Sequence, residues 1–131
     1  MILMKKNFKE LELLFPKEFK IEEFRNTSSE EPFSNESINF LDVLSKNLLN
    51  DKKSKLYPDV ATFGFYCRKA NIIKLKEKHV NTENIRLGRG IIFHIAPSNV
   101  PVNFAYSLLC GILSGNTNIV RVPSIHFEQI E

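Results

Sequence analysis

The sequence predicts an α/β fold built on a parallel crossover, and three consecutive stretches carry that prediction. Ile91-Ile92-Phe93-His94-Ile95-Ala96 is a short apolar run between Gly90 and Pro97, the pattern of a strand buried on both faces. Val102 to Ser114 is apolar almost all round, which predicts a buried helix, and Gly115-Asn116 closes it with residues that tolerate left-handed backbone. Thr117 to Val122 is rich in β-branched residues and reads as a second strand, stopped by Pro123. Two buried strands joined by one helix should run parallel, with a right-handed crossover.

The elements upstream follow from local pattern. Leu11-Glu12-Leu13-Leu14-Phe15 and Phe19-Lys20-Ile21-Glu22 mix apolar and charged residues and read as strands. Asn26 to Ser37 is polar and acidic with one proline, so it reads as a loop. A helix is predicted over roughly 36–49, because Ile38, Leu41, Leu44 and Leu48 recur at helical spacing. Glu36 near its start and Lys46 toward its end suit the helix dipole. A second helix is predicted over about 58–76, with Pro58 at the first helical position and Val60, Phe63, Cys67, Ala70 and Ile73 along one face. The basic residues Arg68, Lys69, Lys74, Lys76 and Lys78 fall elsewhere and read as a solvated face. Glu77 to Gly88 is a polar connector, and 125–131 reads as the start of a further helix.

Bulk properties narrow the function classes. The chain has 131 residues, enough for one ordinary domain, and its 43% hydrophobic and 25% charged content is that of a globular protein. Eleven Phe and no Trp suggest a Phe-rich core. A net charge of +3 makes no case for a nucleic-acid partner, which needs cations gathered on one face. Cys67 and Cys110 form no CxxC pair, so neither a disulfide framework nor a zinc site is expected, and a reducing cytoplasmic compartment fits best. The opening Met1-Ile2-Leu3-Met4 is too short for a signal peptide, and no apolar stretch is long enough to span a bilayer.

The chemistry is expected in Ala96-Pro97-Ser98-Asn99-Val100-Pro101, between the first strand and its helix. Ligands of open parallel sheets bind beyond the carboxyl ends of the strands. Pro97 and Pro101 stiffen the loop, and the Asn99 amide could donate to a developing oxyanion. Asn99 could equally cap the helix that starts near Pro101. Arg121, at the end of the second strand, could meet a phosphate or ribose, or be a plain surface cation. Gly88-Arg89-Gly90 precedes a strand instead of following one, so it is no phosphate loop. His94, inside a strand, reads as a satisfied core histidine. His79 and His126 are isolated and carry no assigned role.

The run Gly88-Arg89-Gly90-Ile91-Ile92-Phe93-His94-Ile95-Ala96-Pro97-Ser98-Asn99-Val100-Pro101 resembles the opening of the cofactor domain in the aldehyde dehydrogenase superfamily. The wording HIAPSNVPVNFAYSLLCGILSGNTNIVRVPS most resembles the LuxC-type long-chain acyl-CoA reductases, the fatty acid reductases of luminescence systems. The resemblance covers about 88–124. It implies a Rossmann-like cofactor-binding domain of the aldehyde dehydrogenase fold, begun at 88–131 and truncated, with a helical and strand segment at 1–87 that includes two helices. It also implies reduction of a fatty acyl-CoA or acyl-protein thioester to the aldehyde through a cysteine acyl-enzyme. Asn99 matches the oxyanion-hole asparagine of the Pro-x-Asn-x-Pro motif, and Ala96, Pro97 and Ser98 match positions lining the cofactor. Ser98 stands where aldehyde dehydrogenases commonly carry a bulky aromatic. Arg121 matches a lysine that contacts the adenosine ribose. Ser124 stands where many NAD-using relatives carry a glutamate that would repel a 2′-phosphate, so NADPH is the expected cofactor.

The nucleophilic cysteine of this superfamily lies far downstream of the motif. Cys110, in the middle of the predicted buried helix, and Cys67 read as structural thiols. The catalytic nucleophile is thus expected to be absent, and an N-terminal fragment of this kind to be inactive alone. The resemblance further implies a homo-oligomer at full length, with an acyl-transferring or acyl-activating partner enzyme. Two alternatives stay open: another aldehyde or acyl-phosphate reductase of the same superfamily, and a non-catalytic interaction module. No metal is expected. An isolated piece of a larger sheet is expected to self-associate or fold poorly.

Overall fold

The structure, a computed structural model, describes Leu14 and residues 26–80, 83–123 and 125–130. The two strands expected at 11–15 and 19–22 lie outside the described residues, Leu14 apart, which has no regular structure. The described elements run in order α1 (Asn35–Asn50), a 3-10 turn (Ser54–Leu56), α2 (Pro58–Tyr66), α3 (Lys69–His79), β1 (Ile91–Ile95), α4 (Asn103–Leu113), β2 (Thr117–Arg121) and a 3-10 turn (Glu128–Ile130). This is a mixed fold of helices and a small parallel sheet, compatible with the α/β class.

Helix α1 begins where the sequence supplies a cap. The Ser34 hydroxyl accepts from the Ser37 amide at 3.2 Å, and Glu36 occupies the first turn. Its buried side, Ser37, Ile38, Leu41 and Ser45, faces the other helices, and the Ser45 hydroxyl donates to the Gly64 carbonyl of α2 at 2.7 Å. Lys46 and Asp42 pair at 2.7 Å on the outside, and the lysine holds the Asp42 carboxyl below its ordinary range. Just before the cap, Phe33 takes a left-handed backbone (φ 56). Its amide donates to Leu113 O at 2.8 Å, and its carbonyl accepts from Lys76 Nζ at 3.1 Å. Those two bonds tie an otherwise unfavourable residue to α4 and α3.

The single helix expected over 58–76 is two helices. Cys67 ends α2, and Arg68 turns to an extended backbone (ψ 136) before α3 starts. The break carries no Gly or Pro. Side chains hold it instead: the Arg68 guanidinium lies 4.2 Å above the Phe65 ring, and Asn71 Nδ2 donates to Phe65 O at 2.7 Å. The break also resets the helical phase. Val60, Phe63 and Cys67 are buried as their spacing predicts, but beyond the break Ile72 is buried while Ala70 and Ile73 are exposed. Among the described residues three helices, not two, therefore precede the sheet.

β1 and β2 pair in parallel, with Ile91 opposite Thr117 and Ile95 opposite Arg121. The expected parallel pairing across one helix is thus present, but the expectation of burial on both faces fails. Alternate residues of a strand point to opposite sides. His94 and Asn118 point toward α4, while Ile91, Phe93 and Ile95 are 48%, 58% and 67% exposed on the other side. In the described residues α4 supplies a helical layer on one face only.

The core gathers Ile38, Leu41, Val60, Phe63, Cys67, Ile72, Val102, Leu109 and Leu113 from all four helices, the residue after α2 and the residue before α4. It is not Phe-rich among the described residues: Phe63 is the buried one, and Phe40, Phe65 and Phe93 are exposed. Cys110 also departs from expectation. It sits on the exposed side of α4, because Leu109, Gly111 and Leu113 take the inward positions. Cys67 is fully buried, and desolvation pushes its thiol up to about 12. At about pH 8 a thiol reagent should therefore modify Cys110 in the folded chain and reach Cys67 only after denaturation. Equal, rapid labelling of both thiols without denaturant would contradict this packing.

Candidate functional site

The loop 96–101 leaves the carboxyl end of β1 and enters α4. Because Ile95 and Arg121 are partners in the parallel register, the loop and the Arg121 side chain emerge at the same edge of the sheet. Arg121 is exposed there, Ala96 and Ser98 are half-buried, and Pro97 and Asn99 are exposed. Ser124 lies outside the described residues. The structure thus places five of the six candidate residues read from the sequence at the carboxyl ends of β1 and β2.

Asn99 does not cap α4. The N-terminal flank of that helix is Val102, with no side-chain cap bond, and the described loop holds itself with a long backbone contact, Asn103 N to Val100 O at 3.4 Å. The Asn99 amide is left exposed, and the N–H groups of α4's first turn open toward the same edge, where a helix carries positive partial charge. Both features favour an anion or a developing oxyanion over a cation.

Beside the loop lies a recess of about 340 Å³, lined by Pro58, Asp59 and Thr62 of α2 and by Val100, Val102, Asn103 and Tyr106. Tyr106 forms its wall by edge-on contacts with Phe63 at 4.9 Å and Tyr66 at 5.7 Å, and burial raises its phenol above the ordinary value. The tail closes over the start of α2: Tyr57 Oη donates to Glu128 at 2.8 Å, and Gln129 Nε2 donates to Asp59 at 3.2 Å. Sequence reasoning missed this recess, since its residues come from segments about forty positions apart and share no motif.

Beneath the loop is a polar cluster that the sequence showed only in part. His94 is 8% exposed, with Nδ1 2.7 Å from Ser107 Oγ and Nε2 2.8 Å from Asn118 Oδ1. The expectation of a satisfied core histidine holds. Its partners were missed, although an asparagine inside an otherwise apolar strand was the available signal. Gly111 lies directly over the cluster. A Cβ at that position would overlap Asn118 Oδ1 and stand 2.8 Å from His94 Nε2. Among the described residues no group of His, Cys, Asp and Glu could hold a metal ion, and no helix is long and apolar enough to cross a membrane. Gly111→Ala should destabilise the fold by about 1–3 kcal/mol, the usual cost of overpacking, measured by urea denaturation. An unchanged or raised midpoint would show that α4 does not lie this close to the sheet.

No curated protein and no solved structure matches the chain. Residues 71–127 match the family model described as Acyl-CoA reductase (LuxC). The matched stretch contains β1, the loop with Asn99, α4 and β2, and it is this part of the chain that is similar to the LuxC acyl-CoA reductase family.

Proposed function

We propose that this chain supplies the oxyanion and cofactor corner of an NADPH-dependent acyl-CoA reductase, which converts a long-chain acyl thioester to the fatty aldehyde through a cysteine acyl-enzyme. The observation that carries the reading is the shared end of the sheet: the loop that holds Asn99 leaves β1, and Arg121 ends β2, at the carboxyl ends of two parallel strands, inside the segment that matches the family. On this reading, residues 88–131 begin a Rossmann-like dinucleotide domain of the aldehyde dehydrogenase fold, and 1–87 precede it. The nucleophilic cysteine comes from outside the residues seen here, and the chain alone does not turn over.

The residues at the edge fit a dinucleotide. Arg121 is an exposed cation at the height of the loop, suited to a ribose phosphate, and the loop at Ala96, Pro97 and Ser98 is open to an extended ligand. The cofactor, when bound, supplies a hydride to the acyl carbon. The chain's own residues do the rest. The Asn99 side-chain N–H donates to the thioester oxygen, more strongly as that oxygen gains charge during attack by the thiolate and again during reduction. The open recess between α2 and α4 offers an apolar surface to the carbons next to the carbonyl.

Two measurements test the reading. Calorimetric titration should find NADPH bound about tenfold more tightly than NADH, the worth of one charge-assisted contact, with Arg121→Ala erasing the difference. Tighter binding of NADH would sink the cofactor assignment. In an acyl-CoA reductase assay with the nucleophile present, Asn99→Ala should lower kcat by about 10²–10³-fold, with little change in thioester KM. A loss confined to KM would remove Asn99 from the oxyanion hole.

A further inference from the structure

We propose that His94 is a positioning residue: held in one tautomer between Ser107 and Asn118, it fixes loop 96–101, and with it the Asn99 amide, against α4. The inference rests on the reading above that this loop faces the ligand. It assigns that reading a residue with no contact to the ligand itself.

For a ring that carries one proton, the direction of every bond in the cluster follows from its outer end. Asn118 Nδ2 donates to the Asn116 carbonyl at 2.7 Å, which leaves Oδ1 facing the ring. Oδ1 can only accept, so the proton is on His94 Nε2. Nδ1 of the neutral ring then accepts, and its partner at 2.7 Å is the Ser107 hydroxyl. The chain of donors runs one way: Ser107 to His94, His94 to Asn118, Asn118 to the backbone.

The placement of the cluster makes it a clamp. His94 is one residue from the end of β1, and Ser107 is in the second turn of α4, so their bond bridges the two elements that bracket the loop. It is the side-chain hydrogen bond joining β1 to α4 among the described residues. Asn99 has no cap to hold it, and the loop's own backbone bond is long. Its position is therefore set at its two ends, by the prolines and by this clamp. An aliphatic side chain at 94 would fill the same space without a directional link to α4. Gly111 completes the device, because a larger residue would lift the helix off the cluster.

Nitrogen-15 NMR of the chain with labelled histidine and backbone tests this without a ligand. The His94 ring should show the neutral Nε2–H pattern; an Nδ1–H pattern would overturn the proposal. Ser107→Ala should speed amide exchange at Asn103 and Ala105, whose amides donate to Val100 O and Val102 O, by about tenfold relative to α1 and α3, the worth of one neutral hydrogen bond, and Ser107→Thr should restore it. Equal effects of Ala and Thr, or faster exchange spread evenly over all helices, would reduce His94 to core filling. If Ser107→Ala does not fold, the tautomer of the unmodified chain and the Thr variant still decide. NADPH added afterwards separates the two readings: a loop effect with no binding leaves the clamp standing and removes the cofactor, and binding with no loop effect does the reverse.

Discussion

α4 can lie against the two strands only because residue 111 has no side chain, and most of the described architecture depends on that approach. With the helix so close, a polar interior becomes possible: the ring of His94 spans the gap and meets a donor on the helix and an acceptor on the second strand. Buried polar groups are costly unless each finds a partner, and here each does. The same approach brings Leu109 and Leu113 into the core shared with α1 to α3, so a single missing methyl group links sheet, helix layer and loop.

A second close contact joins the helical part to the crossover. The Glu30 amide donates to Gly115 O and its carbonyl accepts from the Gly88 amide, both at 3.0 Å. Gly115 has φ 74 and closes α4, and a Cβ there would overlap the Glu30 carbonyl. Three backbone segments thus meet at the amino end of the strands, while the candidate ligand edge lies at the carboxyl end.

The crossover was legible because its signals are local and strong: an apolar run ended by proline, an all-round apolar helix, a β-branched run, and a glycine where the backbone turns left-handed. Other features were not legible, for physical reasons. The break at Cys67–Arg68 is held by a cation over Phe65 and an amide from Asn71, neither of which is a recognised helix stop, so the phase shift that buries Ile72 could not be foreseen. Burial of β1 on both faces was inferred from an apolar run, but a run records what a strand can tolerate, not how many layers cover it. Cys110 and the scattered phenylalanines show the same gap, since composition does not fix which side of a helix turns inward. Within the site, the motif residues were readable in sequence, whereas the recess and the partners of His94 exist only once distant segments meet.

On the proposed function, Asn99 and Arg121 form one ligand-facing edge. The most direct test is a titration of the uniformly nitrogen-15-labelled chain with NADPH, following each backbone amide. The largest shift changes should fall on Ala96, Ser98, Asn99, Arg121 and Val122, saturating together as one site. Saturable changes elsewhere with these amides unmoved, or changes in the loop and at Arg121 that saturate separately, would contradict it.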